Sequence, residues 1–337
     1  MPPRLPTAPP PPPPRLLLGV DDDTLKWTRY PLTVVRRQRG LGARAVRVWV
    51  PWHGEARPDA VRRAELERAA AAARYTDVVL AVSGFARDTP LTARAQARFC
   101  RYARAALALV PHARAIVVWN EANSPTDWQG SAAGYEALLA RCYDRLHALG
   151  ATVLDSTASA HAPAAFLRAL GSAYRESGRT RPLVDAFGHN PYPRSSAEPP
   201  DAVHPPGFLG EGDYPRLVAT LAAAFAGTGQ RSLDIWYLED GFQSRVPAIL
   251  RRRYHGRENV PTVAPALQAL HLRRAILLAA CQPRVRAFFN FELVDEKRLA
   301  GWQSGLVWRG ARPKPAADAF ADAARTVGSG GPRCRRP

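Results

Sequence analysis

The sequence predicts an α/β fold, a single-domain (β/α)8 TIM barrel, on three observations. From Arg15 onward, short β-rich apolar runs alternate eight times with longer Ala-, Leu- and Arg-rich stretches of helical spacing. Such alternation in one unbroken chain calls for a parallel sheet, and eight units close on themselves. The first run leads into Gly19-Val20-Asp21-Asp22-Asp23. An open, doubly wound sheet, the competing architecture, would place a G-x-G-x-x-G turn there. Finally, the fourth and seventh runs each end in a glutamate, where a barrel carries its chemistry.

The strands are expected at Leu16–Val20, Ala45–Val50, Asp77–Val82, Ala115–Trp119, Ala151–Asp155, Val184–Phe187, Leu233–Leu238 and Arg286–Phe291. Helices are expected at Tyr30–Leu41, whose pattern is the weakest, then Pro58–Arg74, Thr92–Leu109, Ala132–Ala148, Pro163–Glu176, Tyr214–Phe225, Pro265–Cys281 and Lys314–Arg325. The barrel is assigned to residues 15–327. A proline-rich tail over 1–14 precedes it and a basic tail over 328–337 follows, both expected to be disordered.

The chain has 337 residues, 46% of them hydrophobic, which suits one large core. No apolar stretch is long enough to span a membrane. The net charge of +18 is almost all arginine, since lysine occurs only at Lys26, Lys297 and Lys314. Arginines spaced along helices, such as Arg62, Arg63 and Arg68, read as solvated faces. The tight clusters Arg251-Arg252-Arg253 and Arg333, Arg335, Arg336 lack interleaved aromatics, so no nucleic-acid partner is expected. Cys100, Cys142, Cys281 and Cys334 have no metal-ligand spacing and read as buried free thiols, with one disulfide left open. Leu16-Leu17-Leu18 is too short for a signal peptide. Either the protein stays in the cell or its start lies upstream; the extracellular side is favoured.

Two segments carry the chemistry. Val118-Trp119-Asn120-Glu121 delivers an Asn-Glu pair after the fourth strand, and Tyr237-Leu238-Glu239-Asp240-Gly241 a glutamate after the seventh. Strands 4 and 7 lie across one mouth, so the two carboxyl groups can face each other over a ligand. Such a pair cleaves glycosidic bonds: one acid protonates the leaving oxygen, and the other, at about 5–5.5 Å, attacks with retention of configuration. Taken singly, each glutamate reads more simply as a surface or turn residue.

With these segments the chain resembles the clan A, or 4/7, glycoside hydrolases, most of all bacterial cellulase-like members, over Leu16 to Arg325. Trp119-Asn120-Glu121 is similar to the clan's Trp-Asn-Glu, which implies Glu121 as acid/base and Asn120 as the holder of the sugar 2-hydroxyl. The turn around Glu239 resembles the nucleophile segment, although Leu238 stands where the clan has Thr. Arg47 resembles the second-strand arginine that steadies the nucleophile. Tyr192, in His189-Asn190-Pro191-Tyr192, resembles the sixth-strand tyrosine beside it. The clan's His-Pro-Tyr is altered here: Asn190 occupies the histidine position and His189 comes one residue earlier, so both are carried as substrate-binding candidates. Phe291 or Trp302 stands in for the tryptophan that floors the sugar site. Trp302-Gln303-Ser304-Gly305-Leu306 and Lys314-Pro315-Ala316 resemble the segment linking strand 8 to the last helix.

Flat aromatic faces stack on sugar rings, which makes Trp52, Trp128 and Trp302 subsite candidates against ordinary packing. Trp236 reads as core. Asp21-Asp22-Asp23 reads as a solvated or capping cluster, with substrate contact or a calcium site as alternatives. His53, Asp88 and His161 stand at the mouth as further candidate contacts. The expectation is a monomeric retaining glycoside hydrolase acting on a β-linked oligo- or polysaccharide or glycoside, with no cofactor. The alternative is a non-catalytic carbohydrate-binding barrel.

Overall fold

The computed structural model describes residues 16–160, 163–310 and 312–334. Eight parallel strands close into a barrel. They are β1 (Leu17–Asp21), β2 (Ala45–Pro51), β3 (Asp77–Ser83), β4 (Ala113–Val118), β5 (Thr152–Asp155), β6 (Ala186–Asn190), β7 (Asp234–Asp240) and β8 (Val285–Phe291). Each pairs with its neighbours in chain order, and β8 returns to β1. The seam between β5 and β6 is the narrowest: a single bridge joins Leu154 to Ala186, and the two-residue strand Ala158–Ser159 pairs with His189 and Asn190. Gly188 makes that seam possible, because a Cβ there would lie 2.0 Å from the carbonyl oxygen of Asp155.

Helices return at Pro31–Gly40, Ala60–Ala73, Ala93–Leu109, Ala132–Leu146, Pro163–Glu176, Tyr214–Phe225, Pro265–Ala280 and Pro315–Gly328. Their starts follow from sequence. Asp59, Thr92 and Ser131 accept backbone N–H groups of the first turn, and Pro31, Pro265 and Pro315 open three others.

Strand alternation divides the core in two. One set of side chains, including Val46, Val48, Val50, Val78, Leu80, Val82, Ile116 and Val118, packs outward against the helices. The other set, including Ala45, Val79, Ala81, Ala115, Val117, Leu238 and Ala287, fills the barrel interior. Trp236 belongs to this inner set and lies nearly parallel to Phe289 at 6.4 Å. The small residues opposite leave room for these two large rings. Gly19 does so directly, since a Cβ there would lie 2.5 Å from the Phe289 ring.

The reading of free thiols is corrected: Cys100 bonds to Cys142 and Cys281 to Cys334. The first bridge joins two adjacent helices; the second ties the chain beyond the last helix back to the helix ending at Ala280. Each link is of a kind that contributes about 2–4 kcal/mol. The tail over 1–14 and residues 335–337 of the basic tail lie outside the described residues. Among the described residues, no helix is long and apolar enough to cross a membrane.

Lys314, at the start of the last helix, is fully buried. Its ammonium group bonds to Asp295 at 2.6 Å, to the Gln303 carbonyl at 2.8 Å and to the Ser244 hydroxyl at 3.1 Å, over the Trp308 ring. Removing one partner strands the other charge in the core. Lys314→Met is expected to lower the unfolding free energy by about 3–5 kcal/mol in urea titrations; a loss under about 1 kcal/mol would contradict a tightly held pair.

Candidate active site

The site is made by breaks in regular strand geometry at the C-terminal rim. Along β7, Tyr237 pairs with Phe288 and Asp240 with Asn290, so β7 carries one extra residue. This bulge puts two successive residues inward. Leu238 enters the barrel core, and Glu239 reaches the mouth rather than the helix layer. At the end of β4 the chain turns left-handed at Trp119 (φ 69°) and again at Glu121 (φ 41°). Both turns are unusual for residues with a Cβ.

Arg47 projects from β2 into the same space. It bonds to the Asp21 carboxylate, to Glu239 at 2.7 Å and to the Asn120 side-chain oxygen at 2.9 Å. Burial opposes its charge, but Asp21 and Glu239 outweigh burial and raise the pKa of the guanidinium. Tyr192 donates its hydroxyl to the other oxygen of Glu239 at 3.3 Å. Burial, reinforced by Glu239, pushes that phenol well above its usual range and keeps it a neutral donor.

Glu121 has a different environment. Burial first, then the nearby charge of Glu239, pushes its carboxyl up to about 8, against the lowering effect of a 2.8 Å hydrogen bond donated by Asn190. The Ser156 hydroxyl donates to Asn120 at 3.3 Å. Glu121, Glu239, Asn120, Tyr192, Phe291 and Trp302 line one cavity of about 900 Å³. Trp302 lies 5.2 Å from the Tyr192 ring and 5.1 Å from the Phe291 ring, so the three form one aromatic wall.

Other expected contacts are placed elsewhere. His189 is fully buried on the outward side of β6, where its Nε2 meets the Leu209 carbonyl at 2.8 Å. Alternation along the strand sends Asn190 inward and His189 outward. Asn190 touches the Glu121 carboxyl and is absent from the cavity lining, so its contact is with that acid. Trp52 and Trp128 are core residues, 2% and 4% exposed. They pack edge-on against Trp119 at 6.3 and 5.5 Å and clamp the left-handed turn.

Asp21 and Asp22 are buried and Asp23 half-buried; all three line a cavity beside Glu239, and Asp22 caps the short helix that starts at Thr24. Asp21 pairs with Arg47. Asp22 accepts the N–H groups of Thr24, Leu293 and Val294. Asp23 accepts from Trp49 and Lys26. Among the described residues, no group of three or more His, Cys, Asp or Glu is placed to hold a metal. His53 and Asp88 pair with each other at 2.9 Å, and neither lines the cavities beside the two glutamates. His161 lies outside the described residues.

Sequence reading missed two residues. Asp21 partners Arg47, a role that its place in an acidic run concealed. Glu292 lines a second cavity, and its only signal was its position directly after β8.

No protein-family model matches the sequence, and no curated protein does. Solved structures are similar. A family 39 glycoside hydrolase from the gut symbiont Bacteroides cellulosilyticus superposes with a TM-score of 0.67 at 17% identity, over 92% of this chain. The chain spans 64% of that protein's length. A GH5_18 protein from Streptomyces cattleya, solved with GlcNAc, gives 0.64 at 18% identity over 95% of this chain and 82% of that one. A GH5_18 protein from Bifidobacterium longum subsp. infantis gives 0.64 at 16% over 92% and 79%. At these identities the likeness establishes the fold alone, a (β/α)8 barrel that these glycoside hydrolases also have.

The divided tryptophans can be tested. Trp52→Ala is expected to destabilise by about 3–5 kcal/mol. Trp302→Ala is expected to leave the melting temperature near wild type and weaken sugar affinity, measured by calorimetry. A Trp302 variant that unfolds early yet binds normally would reverse the assignment.

Proposed function

We propose that the protein is a retaining glycoside hydrolase that cleaves β-linked O-glycosidic bonds by double displacement. The observation that carries this reading is the unequal setting of two carboxyl groups in one cavity. Glu121 is pushed up to about 8, whereas Glu239 receives a charge-assisted hydrogen bond from Arg47. The first is suited to hold a proton near neutrality and the second to bear charge.

In this scheme Glu121 protonates the glycosidic oxygen as Glu239 attacks the anomeric carbon. The leaving alcohol departs and a glycosyl ester forms on Glu239. Glu121, now ionised, takes a proton from water, and that water releases the sugar with net retention. Arg47 and Tyr192 hold Glu239 in line. Asn120, fixed by Arg47 and Ser156, is placed to bind the sugar 2-hydroxyl. Asn190 orients Glu121. Protein side chains and water suffice for every step. The two disulfides suit an oxidising compartment, which supports action outside the cell on an oligo- or polysaccharide or glycoside.

Glu239→Gln is expected to reduce turnover of an activated aryl β-glycoside at least 1,000-fold, in the range of losses for a key catalytic group. Azide is expected to rescue Glu239→Ala. Wild-type turnover in the Gln variant would remove the assignment, and sugar binding without product release by the wild type would favour the non-catalytic barrel. The pH profile tests Glu121. The acid works protonated, so kcat/KM should hold below about pH 8 and fall as pH rises through it. Glu121→Gln should abolish that basic limb.

A further inference from the structure

Two cavities meet at Glu239. Asn120, Asp127, Glu239 and Phe291 border both, but Glu121 borders only the larger. The acid must reach the leaving oxygen. On the reading proposed above, the leaving group therefore occupies the larger cavity, and the sugar that becomes bound to Glu239 occupies the smaller, of about 620 Å³.

Glu292 lines that smaller cavity. Its backbone is left-handed (φ 77°), an uncommon state for a residue with a long side chain. Neighbours enforce it. The Glu292 N–H donates to the Asp21 carbonyl at 2.9 Å, and its carbonyl accepts from the Asn290 amide at 2.8 Å. Asp22 holds the next two N–H groups, at 2.9 and 3.1 Å. A strained conformation fixed on both sides, beside the reacting centre, marks a side chain that is aimed.

Among the described residues, no group bonds to the buried oxygen of this side chain, Oε2. Lys314, whose charge acts on it, is already bonded to Asp295. Burial, then the charges of Asp22, Glu296 and Asp295, raises the carboxyl well above its usual range. The shift favours the protonated form, which both donates and accepts.

We infer that Glu292 is a specificity residue for the glycone, gripping hydroxyl groups of an uncharged sugar. A protonated carboxyl presents one donor and one acceptor side by side, which matches adjacent sugar hydroxyls. At Glu292 itself the charges of Asp22, Glu296 and Asp295 disfavour a carboxylate on the sugar, although Arg47, Lys297, Arg298 and Arg309 also line the cavity.

The test compares wild type, Glu292→Gln and Glu292→Ala on p-nitrophenyl β-glucoside, β-galactoside, β-mannoside and β-glucuronide. Wild type is expected to prefer one of the neutral glycosides. Glu292→Ala should lose about 100-fold in kcat/KM on it and much of the discrimination among epimers, with an unchanged or higher melting temperature. Glu292→Gln, which keeps a donor and an acceptor, should recover part of the loss. A preference for the glucuronide, an equal loss on all substrates, or a lowered melting temperature would overturn the inference. In the Glu239→Gln background, calorimetry with glucose, galactose and mannose separates the two claims. Sugar binding that is unaffected by Glu292→Ala refutes the role of Glu292 alone. Absence of both sugar binding and wild-type turnover refutes the glycosidase reading with it.

Discussion

One buried guanidinium organises the mouth of this barrel. Arg47, on β2, bonds to Asp21 at the end of β1, to Glu239 in the β7 bulge and to Asn120 after β4. Four strand ends are thereby tied through a single planar donor set. Its geometry suits several oxygen acceptors at once, as a lysine's would not. The region carries a high density of acids, and each carboxylate near Arg47 draws part of its stability from that cation. The arrangement also creates asymmetry. Glu239 lies within reach of Arg47 and Tyr192, whereas Glu121 receives one amide hydrogen bond and otherwise faces burial and the charge of Glu239. Two chemically identical side chains are thus set apart by what surrounds them.

Backbone strain concentrates in the same place. Among the described residues, the non-glycine positions with positive φ are Trp119, Glu121 and Glu292, all at the ends of β4 and β8. Each such residue costs on the order of 1–3 kcal/mol, and the surrounding structure must over-determine it. Around Trp119 that support is visible. Trp52, Phe99 and Trp128 enclose the indole, and its N–H donates to the Asp127 carbonyl at 2.9 Å. Trp52 and Trp128, which a sequence reading assigns to sugar subsites, instead pack around the turn that leads into Glu121. The aromatics that line the cavity are the less enclosed Trp302 and Phe291.

The barrel was legible because its signals are local. Apolar runs such as Val78–Val82 and Ile116–Val118 end in turns, and the Ala-, Leu- and Arg-rich stretches between them have helical spacing. Glu121 and Glu239 could be singled out because each follows a readable strand, whereas Arg47 and Tyr192 were reached only through the resemblance to clan A motifs. What stayed hidden depends on pairing between distant segments. The bulge in β7 is invisible without β8 beside it. Strand parity decides that Asn190 enters and His189 leaves. The acidic run Asp21–Asp23 looks solvated until Arg47, the loop after β8 and Lys26 are placed against it. Cysteines 42 and 53 residues apart in sequence pair only because the helices bring them together. Glu292 carries no motif and is distinguished by its conformation and its buried oxygen.

The fold is shared with enzymes of several glycosidase families, and a fold alone does not settle chemistry. The weight rests on the claim that Glu239 forms a covalent bond to sugar. The most direct measurement is trapping with an activated 2-deoxy-2-fluoro β-glycoside, followed by mass spectrometry of the digested protein. The account predicts one added glycosyl group, located on Glu239 and lost on prolonged incubation with an acceptor alcohol. Turnover of the parent glycoside with the label on any other residue, or with inversion at the anomeric carbon, would contradict it.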